Sequence, residues 1–228
     1  SRLRCATPPS HGGVSGWVGV QLSSFHGSLS SGGSFYYHSS LLASGVAPPV
    51  GPERGGTRVA VLGGGFRDAY TLRCAFSTFA GADGTLGAAS SSVLARYVDE
   101  SQLECTTAVH APGSVSVLLS MNGQQYAPSG AAYAYQPSAA VSFVSPSSVA
   151  SEGGTPLTVH GAGFSSASEA LGLLACRIGG AVRRAARASA TALVCNATRG
   201  RAGSARVEVS NNAREYTSSG AVVRLVSV

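Results

Sequence analysis

Apolar residues alternate with small or polar residues along several short stretches of the chain. Clear examples are residues 58–62, 114–118 and 206–210. An alternation with a period of two predicts β-strands that bury one face, and the Gly, Pro, Ser or Asn residues at the ends of these stretches predict frequent turns. A tight hairpin turn is predicted at Asn122-Gly123. The pattern therefore predicts an all-β fold made of short strands.

Two segments fit this pattern less well. Residues 181–192 are rich in Ala and Arg, which permits a helix, but their position between two predicted strands favours a loop followed by a strand. Residues 80–92 consist mainly of Gly, Ala and Ser and have no counterpart later in the chain, so we predict an inserted loop there.

The chain contains an internal repeat. A Cys-centred stretch occurs around Cys5, Cys105 and Cys195, each time before an alternating strand and a Ser-Gly pair. Such recurrence indicates tandem repeats. Seven residues also return after a spacing of 98 positions without a gap, and these pairs are Pro48 and Pro146, Gly55 and Gly153, Gly56 and Gly154, Thr57 and Thr155, Gly63 and Gly161, Gly65 and Gly163, and Phe66 and Phe164.

These recurrences define the predicted domains. Residues 1–38 are expected to be the C-terminal part of a truncated first repeat, residues 46–136 a middle repeat and residues 140–228 a last repeat. Residues 223–228 resemble the entry to the last repeat, so we expect the chain to be a piece of a longer array. Repeats of roughly 90 residues with this strand pattern are typical of immunoglobulin-like β-sandwiches.

The composition agrees with this architecture and excludes some classes of function. The 228 residues are 44% apolar and 11% charged, which excludes disorder driven by charge. The chain has sixteen Arg and no Lys, so it has neither a P-loop lysine nor a lysine that could form a Schiff base. No apolar run reaches the roughly 18 residues that a membrane-spanning helix needs.

Cysteine positions bear on the cellular compartment. Cys74 and Cys105 fall in the middle repeat and Cys176 and Cys195 in the last, which suggests one disulfide per repeat and an oxidising compartment. Cys5 is expected to pair with a residue outside this sequence. The alternative is that all are buried free thiols. Asn196-Ala197-Thr198 is a candidate N-glycosylation site, which agrees with an extracellular or cell-surface protein.

Several of these motifs together resemble the IPT/TIG family. They are the Pro48 entry, the Gly-Gly-Thr triplet, the Gly-x-Gly-Phe motif and the Cys pair, which occur in both the middle and the last repeat. The resemblance implies an immunoglobulin-like sandwich, with the Phe in the core, and tandem extracellular copies similar to those of plexins, the hepatocyte growth factor receptor group and fibrocystin-type ciliary surface proteins. It also implies a stalk or adhesion module without catalysis. Asn196-Ala197-Thr198 departs from the Thr-Pro that usually follows the family's second Cys.

The sequence offers no convincing catalytic group. The five His residues are scattered with no two at a metal-ligand spacing. Asp99 and Glu100 are adjacent, and neighbouring residues of a strand point to opposite faces, so they suit a solvated turn better than an acid/base pair. We therefore predict a protein that is not an enzyme and has no catalytic residues, cofactor or metal.

The basic charge is concentrated in the last repeat. Residues 137–228 carry nine Arg against four acidic residues. An arginine patch around the Cys pair could hold acidic glycans or an acidic protein surface, and the alternative is a solvated loop. Nucleic acid is not an expected partner. The patch would consist of Arg177, Arg183, Arg184, Arg187, Arg199 and Arg201.

These observations lead to one main hypothesis. The chain would be a fragment of a long cell-surface protein, for example one on a ciliary surface. Short linkers such as residues 39–44 and Pro137-Ser138 would join rigid repeats into a spacer and interaction scaffold. Its partners would be other extracellular proteins, exposed edge strands could build filaments or coats, and membrane contact would come only through other parts of the chain. The alternatives are the stalk of a ligand-binding receptor ectodomain and an accessory module of a glycan-active enzyme.

Overall fold

The computed structural model describes residues 4–10, 13, 15–24, 27–78, 91–127 and 130–227. The chain divides into two compact units, Ser1–Leu41 and Leu42–Val228. We call them the leading unit and the tandem unit. The tandem unit contains both the middle and the last repeat.

The leading unit is built on one antiparallel hairpin of β1 (Gly16–Ser24) and β2 (Gly27–Tyr37). Trp17 of β1 contacts Tyr36 of β2 edge to face, with ring centroids 5.1 Å apart, and the Tyr37 hydroxyl donates to the Pro8 carbonyl at 2.7 Å. Cys5 is exposed and has no disulfide partner within the described chain. That residues 1–38 are the end of a truncated repeat stays a prediction.

The middle repeat forms a sandwich whose two layers share one long strand. Strand β7 pairs with β6 through Ser91–Leu94 and with β8 through Ala95–Asp99, so it passes from one layer to the other. The strand order is β3-β5-β8-β7-β6-β9-β10-β4, and β4 pairs with β10 in parallel. The strands are β3 (Leu42–Ala47), β4 (Val50–Pro52), β5 (Arg58–Gly64), β6 (Arg73–Ser77), β7 (Ser91–Asp99), β8 (Gln102–Thr106), β9 (Gly113–Ser120) and β10 (Ala132–Gln136).

The last repeat has two separate sheets, ordered β11-β13-β17-β16 and β12-β19-β18-β14-β15. One short helix, α1 (Ser166–Ala170), follows β13. The strands are β11 (Ala140–Ser145), β12 (Ser148–Ala150), β13 (Pro156–Ala162), β14 (Ala175–Ile178), β15 (Ala181–Arg184), β16 (Ala186–Ser189), β17 (Ala192–Asn196), β18 (Gly203–Ser210) and β19 (Val222–Val226). The all-β fold of immunoglobulin-like sandwiches predicted from the pattern is confirmed.

Three local predictions need correction or stay open. Residues 181–192 form no helix, because β15 and β16 find ladder partners in β14 and β17; the segment is mostly strand. Residues 42–44 of the predicted linker belong to β3, and Ala43 is buried. The insertion predicted at 80–92 lies largely outside the described residues, and its last two residues already belong to β7.

The Gly-x-Gly-Phe motif has the same packing role in both repeats. Phe66 and Phe164 are buried in the cores, 1% and 2% exposed. A Cβ on Gly63 would lie 2.8 Å from the Phe66 ring and overlap the Leu42 carbonyl, and Gly161 has the equivalent environment beside Phe164. The first glycine of the motif thus lets the phenyl ring and the neighbouring strand approach its strand closely.

Candidate functional site

The middle and last repeats meet across a polar joint. The middle repeat contributes the end formed by β4, Thr57 and Gln136, and the last repeat contributes Ser168 of α1 and the turn after β18. We call the turn Ser210–Glu215 the joint turn. The sequence analysis did not identify these residues as functional.

The joint turn is held by its own side chains. The Asn212 Oδ1 atom accepts hydrogen bonds from the main-chain N–H groups of Arg214 and Glu215, both at 3.1 Å. Ser210 Oγ donates to the same oxygen at 3.1 Å. These bonds form an Asx-type turn, which leaves the Asn212 amide nitrogen available for other partners.

That amide reaches the middle repeat. Asn212 Nδ2 donates to Glu215 Oε2 at 2.5 Å and to the Val50 carbonyl at 3.4 Å. Thr57 Oγ1 donates to the same Glu215 oxygen at 2.8 Å, across 158 positions of sequence. Thr57 is 0% and Asn212 2% exposed. The Glu215 carboxylate of the last repeat is thus bonded to the buried Thr57 hydroxyl of the middle repeat, and hydrogen bonds to a charged acceptor are stronger than those between neutral groups.

A glycine makes room for this contact. A Cβ at Gly51 would lie 2.6 Å from Thr57 Oγ1 and 3.2 Å from Asn212 Nδ2, and it would overlap the Tyr133 hydroxyl. Burial raises the pKa of the Tyr133 phenol, and the Glu215 carboxylate raises it further. Within the described part of the chain, no atom has hydrogen-bond geometry to that hydroxyl. Tyr133 is therefore a neutral packing group behind the joint.

A second set of contacts holds the short connection between the repeats. Ser168 Oγ of α1 donates to Gln136 Oε1 at 2.9 Å, and both residues are buried. The Glu53 N–H donates to the Gln136 carbonyl at 2.7 Å, and the Ser138 N–H donates to Glu53 Oε1 at 3.2 Å. Gln136 at the end of β10 is thus bonded to both repeats, and Ser138 of the connection is bonded to the middle repeat.

The joint leaves little empty space. The cleft beside it measures about 20 Å³ and is lined by Pro52 and Arg54 of the middle repeat and by Asn211 and Glu215 of the last repeat. A volume of this size holds about one water molecule. The two repeats are therefore in close contact at the joint.

The six arginines of the predicted patch lie in different places. Arg177 Nε donates to Glu208 Oε2 at 2.7 Å, and its guanidinium lies 4.3 Å from the centre of the Tyr216 ring. Arg187 pairs with Leu193 near the start of β17 and donates to the Phe164 carbonyl. Arg183 and Arg184 lie on the edge strand β15, and Arg199 and Arg201 follow the end of β17, where both line one shallow pocket.

The arginines therefore form smaller groups. Arg177 is already neutralised by Glu208, and Arg187 lies at the opposite end of β17 from Arg199 and Arg201. The pair Arg199 and Arg201 is the part of the predicted patch that the structure brings together. Binding of an acidic partner there stays a prediction.

The structure contains one disulfide in each repeat, Cys74–Cys105 and Cys176–Cys195. Asn196 is the last residue of β17 and its side chain is exposed. The Thr198 hydroxyl of the same sequon is buried and donates to the Ile178 carbonyl at 3.3 Å. An exposed Asn side chain has room for a glycan, and its glycosylation stays a prediction.

Residues considered for catalysis have structural contacts. His110 stacks on Tyr135, and His160 stacks on Phe143. Hydrogen bonds from the Ser101 hydroxyl and N–H lower the pKa of Asp99, the last residue of β7. Over the described ranges, no three His, Cys, Asp or Glu side chains converge as a metal site would need. The described helices include none with the length and apolarity to cross a bilayer.

Comparisons with known proteins agree with the repeats seen here. A family model described as the IPT/TIG domain matches residues 42–135 and 139–223. No curated protein sequence matches the chain significantly. The extracellular region of plexin A4 is similar with a TM-score of 0.50 and 18% identity, over 83% of this chain and 16% of that chain. This chain thus spans less than a fifth of the plexin A4 chain, and an identity this low shows the fold alone.

Two bacterial proteins match with lower scores. FdeC, an Escherichia coli adhesin, matches with a TM-score of 0.28 and 19% identity, over 84% of this chain and 66% of that chain. Invasin, a bacterial integrin-binding protein, matches with a TM-score of 0.29 and 10% identity, over 95% of this chain and 46% of that chain.

Proposed function

The chain belongs to the IPT/TIG family of non-catalytic, immunoglobulin-like domains, and from this premise we propose that it is a rigid extracellular spacer and interaction scaffold. In this function the repeats hold other parts of the protein at a fixed distance and orientation. The contacts that fix this orientation are those of the joint.

The buried joint is the observation that carries the proposal. Repeats joined by a flexible linker would expose the ends that face each other. Here Thr57, Asn212, Gln136 and Ser168 are all buried, and hydrogen bonds pair them across the boundary. Buried polar groups that are paired strongly favour one relative arrangement, because any other arrangement leaves them unsatisfied.

Replacing Asn212 with aspartate tests the rigid joint. The Asn212→Asp variant keeps the oxygen that forms the turn, loses the Nδ2 donor and places a second carboxylate beside Glu215. We expect the coupling between the repeats to fall by about 2 kcal/mol, because the partly buried Glu215 carboxylate loses a hydrogen-bond donor and gains a like charge beside it. Calorimetry should then show two unfolding transitions, and small-angle scattering should show a broader range of interrepeat distances.

The middle repeat supplies a matched control for this experiment. Asn122 forms the same turn with the N–H groups of Gln124 and Gln125 but is exposed. Asn122→Asp should change stability by less than about 1 kcal/mol and leave the interrepeat distance unchanged. The double variant Asn212→Asp with Glu215→Gln should recover part of the coupling. Equal effects of Asn212→Asp and Asn122→Asp would contradict a rigid joint.

The extracellular part of the proposal is supported by the two disulfides and by the exposed sequon. Structural disulfides persist in oxidising compartments. When the chain is secreted from eukaryotic cells, we expect one N-glycan on Asn196, detected as a mass loss on treatment with peptide N-glycosidase. Asn196→Gln should abolish the glycan, and Thr198→Ser should keep it because the sequon is retained. An unmodified Asn196 on the secreted chain would oppose this part.

The partners we propose are other extracellular or cell-surface proteins. The exposed arginines Arg199 and Arg201 support acidic glycans as a further class of partner. A stalk in a receptor ectodomain and a spacer on a ciliary surface are two settings in which the same rigid joint would serve.

A further inference from the structure

The middle repeat carries an exposed copy of the joint turn. Ser120–Gln125 lies 90 positions before Ser210–Glu215, and we call it the free turn. Asn122 Oδ1 accepts from the N–H groups of Gln124 and Gln125 at 2.9 and 3.1 Å, and Ser120 Oγ donates to it at 3.1 Å. These bonds match those of Asn212 with Arg214, Glu215 and Ser210 one by one.

The two turns also share their backbone shape and their outward-facing pair. Gly123 has φ +72° and Ala213, at the same position of the joint turn, has φ +57°. Asn122 Nδ2 donates to Gln125 Oε1 at 2.6 Å, as Asn212 Nδ2 donates to Glu215 Oε2 at 2.5 Å. The free turn is thus already arranged in the docked conformation.

Burial is what separates the two turns. Asn212 is 2% exposed because the end of the middle repeat covers it, whereas Asn122, Gln124 and Gln125 are exposed. A pre-formed polar turn needs little further ordering to bind, so the entropic cost of docking it is small.

An exposed aromatic residue lies beside the free turn. Tyr70 is 95% exposed, and the Thr71 hydroxyl next to it donates to the Met121 carbonyl at 2.5 Å. In the last repeat, the corresponding loop binds the joint turn through Asn211 and then leads into Ser168, which contacts the preceding repeat. Tyr70 therefore stands where the last repeat makes its second contact, and Tyr is enriched at protein interfaces.

We propose that the free turn, with Tyr70 beside it, docks on the end of another IPT/TIG repeat that precedes residues 42–135 in the assembled protein. The fitting end has a main-chain carbonyl like that of Val50, a residue without Cβ like Gly51 and a buried hydroxyl like that of Thr57. The proposal rests on the rigid joint proposed above, and it adds the partner of a second joint.

The end of the last repeat is a poorer match for the free turn. By the spacing of 98 positions, Val149 stands where the middle repeat has Gly51, and Thr155 stands where it has Thr57. A Cβ at the Gly51 position would overlap the Tyr133 hydroxyl and lie 3.2 Å from Asn212 Nδ2, so the existing joint is built on a residue without a side chain there. This difference favours a preceding repeat with a glycine there over a second copy of this chain joined end to end.

A chain with one added repeat tests the second joint. A second copy of residues 42–139 is inserted after residue 139 of the full chain, and Cys5 is replaced by Ser. Single cysteines are then introduced one at a time, and the alkylation rate of each shows whether its turn is buried. One cysteine replaces Gln125 of the original middle repeat, which we call the leading copy. The other two replace Gln125 of the inserted copy and Glu215 of the last repeat. We expect alkylation in the inserted copy to be at least about tenfold slower than in the leading copy, because docking buries the thiol.

The outcomes separate the two proposals. If the thiol at 215 is protected and the inserted copy reacts as fast as the leading copy, the second joint is wrong and the rigid joint stands. If the thiol at 215 is itself unprotected and the parent chain, which keeps Glu215, unfolds in two transitions, the rigid joint fails. Protection of the leading copy, which has no full repeat before it, would point to a different occupant and would also overturn the proposal.

A graft in the natural chain gives an independent test. Ala213→Gly, Arg214→Gln and Glu215→Gln together convert the end of the joint turn into that of the free turn. We expect the grafted chain to keep a single unfolding transition within about 4 °C of the parent. Adding Asn212→Ala to the graft, which removes the Nδ2 donor, should split that transition. Loss of the single transition in the graft alone would show that the free-turn sequence cannot dock.

Discussion

Replacing Gly63 with alanine is expected to lower the free energy of unfolding by about 2–3 kcal/mol, because overpacking a tight contact costs about this much. The added Cβ would overlap the Leu42 carbonyl and lie 2.8 Å from the Phe66 ring. The carbonyl belongs to the neighbouring strand β3, and Phe66 is 1% exposed. Neither group can move without disturbing the ladder or the core. Urea denaturation of the purified chain measures the change.

The adjacent glycine provides a matched control. Nothing lies within 4 Å of a Cβ at Gly64, so Gly64→Ala should change stability by less than about 1 kcal/mol. Gly161→Ala should repeat the large effect in the last repeat, because its Cβ would overlap the Ala140 carbonyl and approach Phe164 in the same way. Equal stabilities of the Gly63 and Gly64 variants would show that the close approach of the strands is not needed.

Removing the middle-repeat disulfide is expected to cost about 4 kcal/mol, since the bond closes a loop of 31 positions and loops of this length contribute about that amount. Both half-cystines are buried, at 0% and 2% exposure, so the double variant Cys74→Ala and Cys105→Ala also leaves a small cavity that adds to the loss. The thermal midpoint of the middle repeat should fall by more than ten degrees, on the order of what such a loss produces.

The remaining cysteine separates loss of the bond from loss of a thiol. Cys5 is exposed, and Cys5→Ser should change stability by less than about 0.5 kcal/mol. A reducing agent should lower the thermal midpoint of the middle repeat in the parent chain. In the double variant it should leave the midpoint of the middle repeat unchanged, because the bond is already absent. A double variant as stable as the parent would mean that the core alone holds this sandwich together.

Much of the fold could be predicted because its causes are local. The period-two alternation at residues 58–62, 114–118 and 206–210 depends on neighbouring residues, and strands lie at all three places. Asn122 does form a turn, but a longer one than predicted, because the chain reaches the next strand only at Ala132. Residues 181–192 were ambiguous since their helix propensity is local, whereas their strand partners β14 and β17 are supplied by the tertiary fold.

The joint was missed although its signal is present in the sequence. The pattern Ser-x-Asn followed three residues later by Gln or Glu occurs at Ser120 and again at Ser210. The hydrogen bonds within the turns do not distinguish the two copies, since the Asn side chain accepts the same set in both. The difference is that Thr57 and Val50 lie against one copy.

The sequence by itself determined the strands at residues 58–62, 114–118 and 206–210, the repeat that recurs after 98 positions and the glycine and phenylalanine that pack each core, because these depend on chemistry and spacing along the chain. Only the tertiary structure decided that Glu215 meets Thr57 across 158 positions, that the arginines separate into small groups and that one Asn turn is buried while its copy is exposed. The physical reason is that a side chain's burial and partners depend on which surfaces the folded repeats bring together, and that is a property of the whole packed unit.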